Sequence, residues 1–165
     1  MLFRSTIEDA RAAWNWLGRT HPGAARFLYG HSLGTAVAVG LATGLKGAQA
    51  PHGLVLEGAF TSIPDVVSTF RYGWLPVGPL ITQRLDSLAR IAQLKLPLVV
   101  VHGSDDNLIP PSLGRALYEH AAGPKRFILA EGGNHHDASA RVGGELRDAM
   151  AALFDITLPG SSPRP

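Results

Sequence analysis

The chain has 165 residues, 45% of them hydrophobic and 17% charged, with a formal net charge of +2. This length and balance fit a single globular domain with a buried core and exclude an intrinsically disordered chain. The small net charge, without a block of like charges, argues against nucleic-acid and membrane-surface partners. The absence of cysteine excludes disulfides, thiolate metal sites and a cysteine nucleophile.

The sequence shows no sign of a targeting or membrane-spanning segment. No apolar run approaches the roughly 18 residues that a spanning helix needs. Acidic residues lie within the first ten positions, where a signal peptide would carry its apolar region. These features favour a cytosolic chain, or a chain whose targeting segment lies outside this sequence.

The first elements in chain order are a helix, a strand and a second helix. Ser5 and Glu8 have the spacing of a capping box before an apolar series, which predicts a helix ending at Gly18. The apolar run 27–29 predicts a short strand. Small apolar residues over 33–45 predict the helix that follows it.

The following region predicts further strands that alternate with helices. Residues 54–56 predict a second strand, and the proline-interrupted stretch 60–94 predicts loops and short helices. The run 96–101 is apolar on both faces and β-branched, which is typical of a buried parallel strand. Residues 115–122 predict a helix and 127–129 a fourth strand.

The chain closes with a predicted helix over 145–154, and residues 1–158 are expected to form a single domain. The Pro/Ser-rich tail, 159–165, is expected to be disordered. The alternation of strands and helices predicts an α/β fold with about four parallel strands flanked by helices. In such folds the site is built by loops at the carboxyl ends of the strands.

The first of these loops carries a G-x-S-x-G sequence at Gly30, Ser32 and Gly34. The motif alone is a weak signal, but here it lies between a predicted strand and a predicted helix, as a nucleophile elbow requires. In such a turn the serine is strained, and side chains at the two glycine positions would collide with neighbouring backbone. The alternative is a glycine-rich turn with an incidental serine.

Two acids follow the predicted strand 96–101, and either could orient a catalytic imidazole. Asp105 and Asp106 both suit this role, and both also suit a helix N-cap or an Asx-turn. We expect one of the two to be structural and the other catalytic.

The loop after the fourth predicted strand carries His135 and His136 between glycines and Asp137. A histidine on such a loop can reach a serine hydroxyl and act as general base. A metal site is disfavoured because adjacent side chains diverge and no third ligand is positioned nearby. His31, next to the candidate nucleophile, is expected to line the pocket entrance.

The segments GHSLG after FLY, LVLEGAFTSIPDV, LPLVVVHGSDDNLIPPSLGRALYEHA and EGGNHHD resemble the serine-hydrolase branch of the α/β-hydrolase superfamily, with serine-aminopeptidase-like and depalmitoylase-like members. The order Ser, Asp, His is the chain order of that superfamily. The family pattern HG-x-x-D-x-x-(V/I)-P matches from His102 to Pro110, so the resemblance favours Asp106 over Asp105. The family ending G-x-x-H matches Gly132 and His135, with His136 in the usual place of Asn.

The resemblance implies a chain that lacks the N-terminal strands of the family, as a truncated gene product, a mis-assigned start or a fragment. It leaves one oxyanion-hole donor, the backbone N–H of Leu33, where the family uses two. It also leaves one edge of strand 27–29 without a partner, so self-association through this edge is possible.

The resemblance implies a serine hydrolase that cleaves an ester, thioester or small amide bond of a small acyl substrate through an acyl-enzyme. Ser32, Asp106 and His135 would form its triad, and no cofactor or metal would be needed. The alternative is a catalytically impaired or inactive fragment. Substrate identity would depend on residues 60–94, whose apolar side chains mildly favour an acyl chain or an aromatic group.

Overall fold

The computed structural model describes residues 2–70 and 85–156, with side chains from Ser5 onward. The strands are β1 (Phe27–His31), β2 (Gly53–Glu57), β3 (Leu98–Gly103) and β4 (Lys125–Ala130). The helices are α1 (Leu2–Thr20), α2 (Leu33–Thr43), α3 (Ile63–Ser68), α4 (Leu88–Ile91), α5 (Pro111–His120), α6 (Ala138–Arg141) and α7 (Gly143–Phe154), and a 3₁₀ turn spans Gly47–Gln49.

The four strands form one parallel sheet in the order β1-β2-β3-β4. Sequence order and spatial order coincide, so each crossover moves the chain one strand further along the sheet. The prediction of an α/β fold with about four parallel strands flanked by helices is therefore confirmed. All four carboxyl ends lie along one edge, where the loops after β1, β2, β3 and β4 meet.

Both faces of the sheet are buried by helices. On one face Leu56 and Val100 pack with side chains of α2, α4 and α5. On the other face Val99 and Val101 pack with α6 and α7. Because successive side chains of a strand point to opposite faces, a strand covered on both sides is mostly apolar. The residues of β3 from Leu98 to Gly103 are all buried, and His102 is the one polar side chain among them.

The capping-box prediction at the N-terminal helix is wrong. Helix α1 already begins at Leu2, so Ser5 and Glu8 lie inside the helix rather than at its start. The helix also continues past the predicted end at Gly18 to Thr20. Trp14 of α1 is buried against Leu41 and Leu45. This tertiary packing stabilises the helix independently of the local cap signals.

Strand β1 lies at one end of the described sheet. Within residues 2–70 and 85–156 it pairs with β2 and with no other strand. Tyr29, on this strand, is 54% exposed. Self-association through this edge stays a prediction. The predicted disordered tail, 159–165, lies outside the described residues.

Candidate active site

Ser32 occupies a strained turn between β1 and α2. Its backbone has φ 53° and ψ −124°, and the helix begins at the next residue. A positive φ at a residue with a side chain is costly and persists only where the surroundings hold it. The Ser32 N–H donates to the carbonyl oxygen of Glu57 (2.9 Å), so β2 fixes the turn from the side. The predicted strand–turn–helix context of the motif is present.

The two glycines of the motif differ in what they allow. A Cβ atom at Gly30 would lie 2.5 Å from the carbonyl oxygen of Gly34 and 2.8 Å from the Cα of Thr35. At Gly34 a Cβ atom would meet no described atom within 4 Å. The expected steric requirement therefore holds for Gly30 and is wrong for Gly34, because the space beside the Gly34 Cα, in the first turn of α2, is open.

We expect Gly30→Ala to destabilise the fold by about 1–3 kcal/mol or more, because the methyl group must displace backbone rather than a side chain. Gly34→Ala is the matched control and should be neutral or stabilising by up to about 1 kcal/mol, since alanine favours the helix. Urea denaturation of both variants measures the difference. Equal stability of the two would contradict this account of the elbow.

The acid that faces the site is Asp106. Its side chain is buried, and Oδ1 accepts hydrogen bonds from the N–H groups of Leu108 (3.0 Å) and Ile109 (2.8 Å). Asp105 is exposed and its Oδ1 accepts a hydrogen bond from the Ser104 hydroxyl (2.8 Å). The turn 106–109 thus orients one carboxylate inward and leaves the other in solvent.

His135 joins the acid to the serine. Its Nδ1 donates to Oδ2 of Asp106 (2.7 Å), and its Nε2 lies 2.9 Å from the Ser32 hydroxyl oxygen. The imidazole is 6% exposed. A carboxylate oxygen only accepts, so the proton of neutral His135 sits on Nδ1 and Nε2 accepts from the serine. Three loops, separated by 103 and 29 residues in sequence, supply this hydrogen-bonded series.

The backbone of the histidine loop is held by His31. The His31 Nε2 donates to the carbonyl oxygen of His135 (2.8 Å), and the two ring centroids are 5.0 Å apart. His31 was expected only to line the pocket entrance. His136 is exposed, and its N–H donates to the Asn134 side chain (2.8 Å). Its ring stands at 80° to that of His135, 5.1 Å away.

A buried carboxylate, Glu57, connects strand β1 to helix α6, which follows the histidine loop. It is 3% exposed, accepts a hydrogen bond from the Tyr29 hydroxyl, and also accepts one from the Ser139 N–H (2.8 Å). Burial, followed by the hydrogen bond to Glu57, raises the pKa of Tyr29 to about 12. The phenol therefore remains a donor to Glu57 at neutral pH.

Leu33 is the first residue of α2, so its backbone N–H has no acceptor within the helix. The side chain is 54% exposed. An N–H group at a helix start, directly after the serine, favours a negative charge beside Ser32.

Over residues 2–70 and 85–156, no group of three or more His, Asp or Glu side chains is arranged to hold a metal ion. In the same residues, no helix combines the length and apolar content needed to cross a membrane.

Three side chains support this site through contacts that the sequence does not predict, namely His31, Glu57 and His102, which lies beside Asp106. Glu57 and His102 each follow an apolar run at the end of a strand, and this is the signal that the sequence offers for them. A polar side chain at the end of a buried strand is tolerated only where it has hydrogen-bond partners. No local signal identifies the acceptor of His31, which lies 104 positions away.

Comparison with known families agrees with this architecture. The family model for the serine aminopeptidases, S33, matches residues 2–85, which include Ser32. The esterase domain of a Rhodothermus marinus protein superposes with a TM-score of 0.68 at 22% identity, covering 90% of this chain and 69% of that one. At this identity the likeness shows the fold.

Longer proteins resemble most of the chain. An uncharacterized protein of Mycobacterium tuberculosis is 40% identical over 151 residues, which are 90% of this chain and 52% of that protein. The lysophosphatidylserine lipase ABHD12 of Macaca fascicularis is 28% identical over 137 residues, 75% of this chain and 34% of the lipase. The chain thus spans about half the length, or less, of these relatives. It belongs to the serine aminopeptidase S33 family of the α/β-hydrolase superfamily.

Proposed function

We propose that the chain is a serine hydrolase that cleaves an ester, thioester or small amide bond, with Ser32 as nucleophile, His135 as general base and Asp106 as the orienting acid. The observation that carries the proposal is the continuous series of hydrogen bonds Asp106–His135–Ser32, with distances of 2.7 and 2.9 Å. Distances in this range allow proton transfer without rearrangement.

In the first half-reaction the Ser32 oxygen attacks the substrate carbonyl carbon while its proton passes to His135 Nε2. The Asp106 carboxylate stabilises the imidazolium that forms and holds it in orientation. The negative oxygen of the tetrahedral intermediate lies near the start of α2, where the Leu33 N–H donates to it. The intermediate then collapses, and the alcohol, thiol or amine leaves with the proton from Nε2.

The second half-reaction uses water in place of Ser32. His135 takes a proton from the water as it attacks the acyl-enzyme, and returns that proton to the Ser32 oxygen as the ester bond breaks. The carboxylic acid leaves, and the triad is restored without a net change in its protons. No cofactor takes part in these steps.

The proposed substrates are compounds whose carbonyl carbon a serine can attack, namely esters, thioesters and small amides. The related esterase domain and lysophosphatidylserine lipase act, by their names, on esters, and the matching family is one of aminopeptidases. These names support an ester or amide carbonyl as the group that the proposed site attacks.

Pre-steady-state hydrolysis of p-nitrophenyl acetate and p-nitrophenyl butyrate tests the proposal. If an acyl-enzyme accumulates, the first turnover should release a burst of about one p-nitrophenolate per active chain before the slower steady state. If a folded chain shows neither a burst nor turnover with either ester, the result favours the alternative of an impaired enzyme.

A further inference from the structure

His102 lies beneath the acid of the candidate triad and is completely buried. Its Nε2 is 2.8 Å from the carbonyl oxygen of Ile109 and 3.4 Å from Oδ2 of Asp106. Both of these atoms are acceptors, so Nε2 must carry a proton. The other ring nitrogen, Nδ1, is buried and has no partner among the described residues.

His102 is therefore a neutral imidazole that donates from Nε2. A second proton on Nδ1 would place an imidazolium in the interior with no acceptor at that nitrogen. Burial, which outweighs the hydrogen bond to Ile109 and the nearby Asp106 charge, lowers the pKa of His102 below 6.5. The contact with Asp106 is thus between a dipole and a carboxylate rather than an ion pair.

The histidine carries an energetic cost at this position. Its Nδ1 is a buried nitrogen without a partner among the described residues, and this cost offsets part of what the hydrogen bond from Nε2 to Ile109 contributes. Helix α5 packs directly on the ring, because a Cβ atom at Gly114 would overlap His102 Nδ1. The ring is thereby held with Nε2 directed at the turn 106–109.

The turn 106–109 also binds the carboxylate of Asp106. The N–H of Ile109 donates to Asp106 Oδ1 (2.8 Å), while the carbonyl oxygen of the same residue accepts from His102. We propose that His102 is a positioning residue for Asp106: its Nε2–H anchors Ile109 and so fixes the carboxylate against His135. The inference rests on the proposed function of the triad.

The test compares two replacements of His102 in the 165-residue chain. His102→Phe replaces the imidazole by a somewhat larger aromatic ring without a donor, and His102→Gln places an amide nitrogen the same number of bonds from Cα as Nε2. The probe is a fluorophosphonate, whose rate constant for labelling Ser32 needs no knowledge of the substrate. We expect about a 10- to 100-fold loss for His102→Phe, as for a small misplacement of a catalytic group, and less than about 5-fold for His102→Gln.

A double-mutant cycle separates positioning from a purely structural role. In an Asp106→Asn background, His102→Phe should cost less than about 3-fold, because the group through which His102 acts is already lost. The proposal would be overturned if the losses in labelling rate caused by Asp106→Asn and His102→Phe multiplied fully in the double variant. It would also be overturned if His102→Phe and His102→Gln lost the same labelling rate.

If His102→Phe does not fold, as judged by circular dichroism, His102→Asn replaces it, since its donor is one bond too short to reach Ile109. A spectroscopic readout separates the two proposals. The low-field NMR proton between His135 Nδ1 and Asp106 should persist in His102→Gln and shift or disappear in the variant without the donor. An unlabelled parent chain contradicts the proposed function, whereas an unchanged proton in every variant contradicts only the role of His102.

Discussion

Replacement of Ser32 by alanine is expected to lower kcat for p-nitrophenyl butyrate by roughly 10⁴- to 10⁶-fold, because the variant lacks the hydroxyl that forms the proposed acyl-enzyme. The hydroxyl oxygen lies 2.9 Å from His135 Nε2, and the strained turn fixes it there. The measurement is steady-state hydrolysis at equal folded concentration.

The control for this variant is Ser112→Ala, which removes an exposed hydroxyl on α5. It should retain nearly all activity, since the residue is outside the site. A Ser32→Ala chain that kept more than about a tenth of the parent activity would contradict the assignment of the nucleophile.

Asp106→Asn should lower kcat by about 10⁴-fold, whereas the neighbouring change Asp105→Asn should cost at most a few-fold. An amide at position 106 can donate to His135 Nδ1, which moves the imidazole proton to Nε2 and removes the acceptor for Ser32. Asp105 is exposed and bonds the Ser104 hydroxyl instead.

The two variants are matched, since each removes one charge and the positions adjoin. Steady-state kinetics with p-nitrophenyl butyrate compares them, and thermal unfolding checks that both are folded. A larger loss for Asp105→Asn than for Asp106→Asn would show that the orienting acid is the other residue.

The parallel sheet was predictable because its strands are short, apolar and separated by helical segments. Residues 96–101 predicted the buried strand whose observed bounds are Leu98–Gly103. The prediction worked because a strand covered on both faces leaves an unbroken apolar run. The sequence did not predict α6, which is a helix of four residues. The start of α6 depends on contacts with residues distant in sequence, including the hydrogen bond from Ser139 to Glu57.

The site residues were predictable to different degrees. Ser32 has a local signal, since the glycine before it and the adjoining strand and helix are all in sequence. The residues alone left Asp105 and Asp106 open, because the choice depends on which carboxylate the turn 106–109 directs inward. The sequence identifies His102 only as the first residue of the family pattern HG-x-x-D, whereas the structure places it against Asp106.

The start of α1 was predicted least accurately from the sequence. Ser5 and Glu8 have the spacing of a capping box, but α1 begins at Leu2. Tertiary packing of Trp14 against Leu41 and Leu45 holds the helix regardless of that local pattern. Cap signals predict where a helix could start, and packing decides where it does.

The proposed covalent role of Ser32 is tested most directly by peptide mass spectrometry after treatment of the chain with a fluorophosphonate. The account predicts one adduct per chain, on the peptide that contains Ser32, and no adduct in the Ser32→Ala variant. An adduct on any other residue, or undiminished labelling of the Ser32→Ala chain, would contradict it.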